Sequence, residues 1–256
     1  MARMTRVIAI GNQKGGVAKT TTCLSLGGCL AEMGKTVLMI DLDPQCNLTL
    51  SMGIQPATLR RTVSDALLHN VSLLSVSRES GVMGLDIVPA NTGLAAIDKV
   101  LYRCREYEAY LKEAMAALDE GLYDYVLMDC PPSFGPVTLN ALTAADMLLV
   151  PTQAEYYAAR SLQHVFDLIR LVRRKTNPAL QYRVVVTMYD RRNRICGRIY
   201  GQMQEAFPGS LLETVIEVDT KLRESPVVGK PITLYQPNTR GAQQYRALAE
   251  ELMKDE

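Results

Sequence analysis

The sequence predicts an α/β protein with a doubly wound, mainly parallel β-sheet and helices on both faces. Short apolar or β-branched runs alternate along the chain with stretches of helical periodicity, which is the rhythm of βαβ units. Several runs are apolar almost throughout, as expected for strands buried on both faces of a parallel sheet. With 256 residues, 48% of them hydrophobic, the chain can bury one substantial core, so we expect residues 1–256 to form a single domain.

The individual elements follow from these patterns in chain order. Strands are expected at residues 6–10, 36–40, 85–88, 125–128, 147–150, 183–187 and 211–216. Helices are expected at residues 19–33, 95–118, 158–174, 194–206 and 241–253. Gly34 is typical of a helix C-terminal cap, and Asn177-Pro178 ends the third predicted helix.

The charge is balanced overall but uneven along the chain. The net charge is +1, yet residues 170–198 contain nine Arg or Lys and one acid. The remaining 19 basic and 26 acidic residues give the rest of the chain a charge of −7. We therefore expect one basic face on an otherwise acidic protein.

Cysteine usage and hydropathy exclude several classes of protein. The six cysteines are scattered and form no CxxC pair, so neither a zinc site nor a disulfide framework is expected. The basic start of the chain runs into a glycine motif after a short apolar stretch, unlike a signal peptide. Because the longest apolar runs are strand-sized, we expect a soluble, cytoplasmic protein.

A glycine-rich segment at residues 11–22 (GNQKGGVAKTTT) lies between the first predicted strand and the first predicted helix. In this context backbone N–H groups and the helix N-terminus can wrap a phosphate chain. Lys19 would place its charge on the β and γ phosphates, and Thr20 its hydroxyl on Mg²⁺. The ordinary pattern GxxxxGK[ST] is broken at Gln13 and Ala18, and the segment instead matches KGGxxK[ST].

This second pattern resembles the deviant Walker A signature of the ParA and MinD superfamily, which implies a P-loop NTPase fold with ATP and Mg²⁺ as cofactors. The resemblance implies that Lys14 reaches across a dimer to the partner's nucleotide, like an arginine finger supplied in trans, with Gly15 at the same interface. The alternative is that Lys14 is a solvated loop residue. The cofactor-binding residues implied by the resemblance are Lys14, Gly15, Gly16, Val17, Ala18, Lys19, Thr20, Thr21 and Met188.

Two predicted strands end in acidic residues that match further motifs of this superfamily. Residues 41–45 (DLDPQ) resemble switch I, which implies that Asp43 orients or activates the attacking water, acting with Lys14 and Lys19, and that Asp41 supports the magnesium shell. Residues 123–133 (YDYVLMDCPPS) resemble Walker B followed by switch II, which implies that Asp129 binds Mg²⁺ through water. The alternative is that these acids simply end strands.

The second half of the chain contains sequence motifs that resemble those of the short chromosomal ParA proteins, often called Soj. They are residues 150–157, 187–192, 221–226 with 229–232, and Arg240-Gly-Ala. The resemblance therefore covers essentially the whole chain. Since the resemblance includes no additional N-terminal region, we do not expect a helix-turn-helix or site-specific repression.

A DNA-binding surface is expected from charge spacing and from the resemblance. Arg191, Arg194 and Arg198 fall at i, i+3 and i+7 and so are expected to share one side of the helix that begins near Arg194. The full candidate set is Arg191, Arg192, Arg194, Arg198, Lys221 and Arg223. Acids at Glu217 and Asp219 replace a Pro-Arg-Asn stretch of many relatives, and the alternative is a solvated helix face. With no Trp and three Phe, binding to duplex phosphates is favoured over stacking on single strands.

These features predict a DNA-partition ATPase. An ATP-dependent homodimer would bind duplex DNA non-specifically on the nucleoid, and a ParB-like or other cargo adaptor would trigger hydrolysis and release. One alternative is a relative that positions a protein cargo such as a carboxysome or chemoreceptor array. A MinD-like membrane ATPase is disfavoured by four acids and one lysine in residues 247–256. A metabolic or redox relative, such as the nitrogenase iron protein or an amidating synthetase, is disfavoured because Cys104 and Cys130 do not reproduce the iron protein's paired cysteines.

Overall fold

The computed structural model describes residues 5–69, 71–116, 118, 121–155 and 158–255, and it describes the side chains of these residues except for 158–161. An eight-stranded sheet runs through the centre in the order β3-β4-β2-β5-β1-β6-β7-β8. The strands are β1 Arg6–Ile10, β2 Val37–Asp41, β3 Arg78–Val82, β4 Leu85–Val88, β5 Tyr125–Asp129, β6 Met147–Thr152, β7 Gln181–Tyr189 and β8 Leu211–Glu217. Neighbouring strands are parallel, except that β3 pairs with β4 in the antiparallel sense.

Helices cover both faces of this sheet. They are α1 Lys19–Glu32, α2 Asn47–Ser51, α3 Val63–His69, α4 Leu73–Val76, α5 Leu94–Leu101, α6 Tyr110–Ala116, α7 Pro136–Ala144, α8 Ala158–Lys175, α9 Arg194–Ala206, α10 Thr220–Val228, α11 Ile232–Tyr235 and α12 Arg240–Lys254. Two short 3₁₀ turns lie at Pro56–Thr58 and Tyr107–Ala109. Within the described part of the chain, none of these helices combines the length and apolarity that a membrane crossing requires.

The sheet separates two hydrophobic cores. Along β1, Val7 and Ala9 join the core beneath α7 and α8, whereas Ile8 and Ile10 join the core beneath α1 and α12. This alternation is the two-residue period of a strand, and because both faces are covered, both sets of side chains are apolar. The doubly wound architecture predicted from the sequence is confirmed.

One predicted helix is wrong, and the strand β3 is among the observed elements that were not predicted. β3 was not expected, because its residues are largely exposed and form no apolar run. The single helix predicted at 95–118 is instead α5, a 3₁₀ turn and α6, with residue 117 outside the described residues. Between the two helices Glu106 adopts a left-handed conformation with φ 52°, and the Oδ1 atom of Asn140 on α7 accepts the N–H of Leu111 at 2.9 Å. A side chain from another helix therefore fixes this break.

The expectation of one continuous basic face at residues 170–198 is also wrong. The cluster is divided by β7, whose first residue follows the loop after α8 and whose last residue leads toward α9. Nine residues of strand span about 27 Å, so the arginines of α8 lie at one edge of the sheet and those of α9 at the other. Arg183, near the start of β7, pairs with Asp255 at 2.7 Å.

Candidate functional site

The glycine-rich loop lies at the carboxyl edge of the sheet, where ligands bind in doubly wound folds. It follows β1, which pairs with β5 on one side and β6 on the other, and it leads into α1. Lys19, the first residue of α1, is 8% exposed. Gly16 has a left-handed φ of 72°, and among the described residues no atom lies within 4 Å of where its Cβ would be. Glycine is therefore favoured at position 16 by backbone conformation and not by a lack of space.

Ala18 occupies a position that favours glycine. The Cβ of alanine is unfavourable where the backbone has a positive φ, and the φ of Ala18 is 64° with ψ 32°. A left-handed conformation of a residue with a Cβ costs about 1 kcal/mol. The loop therefore adopts its phosphate-binding shape with some local strain at Ala18.

The side chains of Thr20 and Asp129, the two predicted magnesium-binding residues of the loop and of Walker B, contact each other. The hydroxyl of Thr20 donates to Oδ2 of Asp129 at 2.7 Å. Asp129 is fully buried, and its other oxygen, Oδ1, has no hydrogen-bond partner among the described residues. Burial, and then the charge of Asp41, raises the pKa of Asp129 well above its usual range, while the Thr20 hydroxyl acts in the opposite direction. A buried carboxylate with an open oxygen beside a hydroxyl fits a hard divalent cation such as Mg²⁺.

The carboxylates of Asp41 and Asp43 accept hydrogen bonds from different residues. Oδ2 of Asp41 accepts both the backbone N–H and the hydroxyl of Thr49, at 2.8 and 2.6 Å, and Oδ1 accepts the N–H of Asp43 at 3.1 Å. Burial raises the pKa of Asp41 to about 6, and the bonds from Thr49 lower it. Asp41 therefore holds the loop that carries Asp43. Asp43 lines a cavity over the glycine-rich loop, and its Oδ1 accepts the N–H of Gln45 at 2.9 Å.

The predicted switch II segment links β5 to α7. Pro132 lines the same cavity over the glycine-rich loop as Asp43. The hydroxyl of Thr138 donates to the carbonyl of Ser133 at 2.6 Å. Sequence reasoning missed Asp98 on α5, whose Oδ1 accepts the N–H of Val137 at 3.0 Å. An added Cβ at Gly135 would lie 2.5 Å from Oδ2 of Asp98, so a side chain there would displace this carboxylate. Asp98 thus fixes the end of the switch II segment.

Two connected cavities lie over the loop. The larger, of about 560 Å³, is lined by Gly15, Lys19, Thr20, Asp43 and other residues around them. The smaller, of about 230 Å³, has apolar walls that include Met188, Ile216 and Leu222. Gly16, Ala18 and Thr21 line both cavities. The larger cavity lies over the glycine-rich loop and contains Lys19 and Thr20, so it suits phosphates, and the smaller cavity with its apolar walls suits a base.

Other residues of the motif lie around these cavities. Met188 has a left-handed φ of 53°. Val17 is fully buried, and its carbonyl accepts the hydroxyl of Thr187 at 3.0 Å, so it anchors the loop from below. The side chain of Lys14 is turned to the loop after β6, where Nζ contacts Gln153 Oε1 at 2.9 Å and Glu155 Oε2 at 2.6 Å. Tyr156 and Tyr157, which belong to the motif at 150–157, lie outside the described residues.

The predicted DNA-binding residues lie near the ends of β7 and β8. We call Arg191, Arg192, Arg194, Arg198, Lys221, Arg223 and Arg240 the basic surface. Arg194 and Arg198 are exposed on α9, and Arg223 is exposed beside the smaller cavity. Arg192 pairs with Asp190 at 3.0 Å and Lys221 with Glu224 at 2.7 Å. The six predicted residues are therefore brought to one region, and Arg240 is an addition that sequence reasoning missed.

Glu217 and Asp219, the two acids next to the predicted DNA-binding residues, both make contacts within the fold. Glu217 is 4% exposed, and its carboxylate pairs with Arg191 at 2.7 Å and Arg240 at 3.0 Å. The carboxylate of Asp219 accepts the N–H groups of Lys221 and Gly241, both at 2.9 Å. These contacts orient two arginines and cap the starts of α10 and α12. The burial of Glu217 could not be read from the sequence, because it depends on α12 packing beside β8.

Comparison with known proteins agrees with this geometry. A family model described as an AAA domain matches residues 5–182. The chain is 41% identical to the sporulation initiation inhibitor protein Soj of Bacillus subtilis, over 97% of this chain and 98% of that protein. It is 39% identical to the chromosome partitioning protein ParA of Caulobacter vibrioides, over 98% and 95%.

A solved structure is similar over the same extent. The cobyrinic acid a,c-diamide synthase from Mycobacterium smegmatis, with bound ADP and magnesium, has a TM-score of 0.86 and 36% identity, covering 98% of this chain and 95% of that one. Sequence identity near 40% over almost the full length, together with the glycine-rich loop beneath a nucleotide-shaped cleft, shows that the chain belongs to the ParA/Soj family of P-loop ATPases.

Proposed function

We propose that the protein is an ATP-dependent partition ATPase whose ATP-bound homodimer binds duplex DNA non-specifically and is released by partner-stimulated hydrolysis. One observation carries this proposal: the two loop lysines face different directions. Lys19 lines the larger cavity of its own subunit, whereas Lys14 is not among the residues that line it, and the Lys14 ammonium contacts Gln153 and Glu155. We infer that a cation held outside its own cavity can reach a nucleotide held by a second copy.

ATP binding uses both cavities. The base enters the apolar slot beside Met188, and the phosphates lie on the loop, with Lys19 as their counter-charge. Thr20 and Asp129 would hold Mg²⁺, which supplies charge neutralisation of the phosphate oxygens. Among the described residues no group of three His, Cys, Asp or Glu is placed to bind a metal, so the phosphates are needed as further ligands.

Hydrolysis depends on a correctly oriented water molecule. Asp43 lines the phosphate cavity and is oriented by its own loop through Gln45, so it can accept a hydrogen bond from a water in line with the γ-phosphate. Negative charge develops on the phosphate oxygens as the bond to the leaving ADP breaks. Lys19 and the partner's Lys14 stabilise that charge, so full activity requires the dimer.

The surface around Gly15 suits a close approach between subunits. Gly15 is exposed, and among the described residues no atom lies within 4 Å of a Cβ added there. A side chain at this position has room in one subunit but would occupy the space of the second. Gly15→Val should therefore bind ATP and fail to dimerise.

The basic surface supplies the DNA contacts. A dimer doubles the number of phosphate contacts, and each neutralised phosphate contributes roughly −0.9 to the log–log slope of affinity against salt. A single subunit with few contacts binds too weakly at physiological salt, so ATP controls DNA binding through dimerisation. The protein would then reside in the cytoplasm and associate with the nucleoid when ATP-bound, with a ParB-like or other cargo adaptor accelerating hydrolysis.

The proposal is tested by the molar mass and the DNA affinity of the same samples. With a non-hydrolysable ATP analogue and Mg²⁺, light scattering should give a dimer, and gel shifts on two unrelated duplexes should give equal, salt-sensitive binding. With ADP both should be lost. Equal binding with ADP, or binding confined to one duplex, would contradict the proposal, and Gly15→Val serves as the monomeric control.

Similarity to a protein named as an amide-forming synthase favours a second candidate, ATP-dependent amidation of a small carboxylic acid. Turnover would then require that acid and a nitrogen donor, and duplex DNA would not affect it. Release of ammonia from glutamine requires a cysteine with a lowered pKa, whereas burial raises the pKa of Cys23 and Cys130, and raises that of Cys46 to about 11. We favour the partition function because identity to the partition proteins is higher, at 41% and 39% over almost the full length.

A further inference from the structure

The loop after β6 makes specific contacts with Lys14. Nζ of Lys14 donates to Oε1 of Gln153 at 2.9 Å and to Oε2 of Glu155 at 2.6 Å. The side chain of Lys14 is 35% exposed and that of Glu155 53%. Lys14 is therefore held by an amide and a carboxylate of its own subunit, at the edge of the surface where a second copy would approach.

Gln153 also contacts the smaller cavity. Its Nε2 donates to Sδ of Met188 at 3.1 Å and to the carbonyl of Gly16 at 3.4 Å. Both Met188 and Gly16 line the slot for the base. Because a thioether sulfur is a weak acceptor, the amide group of Gln153 is held loosely on that side. One side chain thus contacts both the wall of the base slot and the ammonium of Lys14.

The backbone around Gln153 is fixed, so its contacts follow from the fold. β6 and β7 pair in register as far as Thr152 and Val186. The hydroxyl of Thr187 donates to the carbonyl of Thr152 at 3.3 Å, and the amide of Asn12 donates to the carbonyl of Pro151 at 2.8 Å. The end of β6 is therefore tied to both β7 and the glycine-rich loop, which leaves the side chains of Gln153 and Glu155 as the movable part.

The contact with Glu155 is of a kind that a phosphate can replace. A partly exposed ion pair between one carboxylate and one ammonium is weak in water. A triphosphate carries several negative charges, and Lys14 would meet it in a cleft that a second subunit closes to water, where each charge counts for more. Transfer of Lys14 from Glu155 to the phosphates is thus favoured only once the second subunit is present.

We propose that Gln153 and Glu155 are the positioning residues of Lys14: they hold its ammonium at the rim of its own cleft, and they compete for it with the phosphates of a second subunit. Gln153, which also contacts the base slot, makes this hold sensitive to the occupancy of the slot. The inference rests on the proposed function, in which Lys14 acts on the nucleotide of the other subunit.

Two substitutions with opposite expected effects test this inference. Glu155→Gln keeps the shape and removes the competing charge, so the dimer dissociation constant with a non-hydrolysable ATP analogue should fall about two- to fivefold, the range of an exposed ion pair. Gln153→Glu adds a charge beside Lys14 and should raise the dissociation constant by a similar factor. The double variant should return close to the wild-type value, which no general loss of stability would produce.

The matched control is Asp167→Asn, which removes an equivalent surface charge from the pair with Arg170 on α8. It should leave the dissociation constant unchanged in analytical ultracentrifugation without DNA. The inference is overturned if Glu155→Gln behaves like Asp167→Asn, or if both cleft variants shift the constant in the same direction. If the wild type forms no dimer with the analogue, the proposed function fails, whereas a normal wild-type dimer with unchanged Glu155→Gln defeats only this inference.

Discussion

The nucleotide cleft and the basic surface differ in how the fold holds their charges. In the cleft, Lys19 is 8% exposed, Asp43 7%, and both Asp41 and Asp129 are fully buried. On the basic surface the side chains of Arg191 and Arg192 are 75% and 89% exposed. Buried groups are fixed in place, so single residues there carry large effects. Exposed charges are screened, so each contributes little and the DNA affinity depends on how many there are. Dimerisation doubles that number and should therefore have a large effect on DNA binding.

The largest effect is expected at the cleft. Asp43→Ala should lower ATP turnover by about 100-fold or more, because the attacking water loses the carboxylate that orients it. Lys14, Lys19 and the magnesium site are left intact, so the ATP-bound dimer should persist. Phosphate release measured beside size-exclusion chromatography tests both parts, and turnover at the wild-type rate would show that Asp43 has been misassigned.

A double charge reversal on the basic surface should be the next largest effect. Replacement of Arg192 and Lys221 together by Glu should abolish binding to duplexes of any sequence and leave dimerisation and basal ATP turnover intact. Reversal of Arg170 and Arg174 on α8 is the matched control, since these residues lie at the opposite edge of the sheet. Equal losses in the two double variants would mean that total charge, and not this surface, governs binding.

The buried carboxylates predict how stability depends on pH. The pKa of Asp41 is raised from 3.8 to about 6 in the metal-free protein. Since the folded state then binds this proton more tightly than the unfolded chain, the stabilisation is complete below about pH 4 and is lost as pH rises through 6, by at most about 3 kcal/mol. Denaturant titrations from pH 4 to 7 should show this decline in wild type and a flatter profile in Asp41→Asn. Parallel profiles would contradict the assignment.

The smallest expected effect concerns the strained position in the loop. Ala18→Gly removes the cost of a left-handed alanine and should stabilise the folded protein, offset in part by the greater freedom of glycine in the unfolded chain. The net change in unfolding free energy should be below about 1 kcal/mol and favourable. Thermal unfolding of the nucleotide-free protein measures it, with Ala247→Gly at an exposed position inside α12 as a control that should destabilise. A destabilised Ala18→Gly would show that φ at this position is not a source of strain.

The same contrast separates what the sequence could predict from what it could not. The glycine-rich loop, Asp43 and Asp129 lie at one edge of the sheet, where the sequence pattern locates them, because each follows or ends an apolar strand and the carboxyl ends of parallel strands share one edge. The hold on Lys14 by Gln153 and Glu155 was not foreseen, because these residues are more than 130 positions away in the chain. Likewise, the separation of the α8 and α9 arginines depends on β7 running between them.

Errors in the predicted elements have the same physical origin. The helix predicted at 95–118 had a periodic pattern, but Asn140 on α7 caps Leu111 and ends that continuity. β3 is specified by pairing with β4 at an exposed edge and has little hydrophobic pattern of its own. Glu217 would be expected to be a surface acid from sequence alone, because the sequence does not show that its carboxylate is buried and paired with Arg191 and Arg240. Local patterns thus located the elements, and tertiary contacts decided their ends and the partners of their side chains.

A mixing experiment tests most directly the claim that Lys14 acts on the nucleotide of the other subunit. Lys14→Ala and Asp43→Ala should each be inactive alone. In a mixed dimer, the Lys14→Ala subunit keeps its own Asp43 and receives Lys14 from its partner, so one site is complete. An equimolar mixture should therefore recover at most about a quarter of wild-type phosphate release, since half of randomly assembled two-fold dimers are mixed and each has one complete site. If Lys14 acts within its own subunit, no mixed dimer has a complete site, and a mixture that stays as inactive as its components would contradict the account.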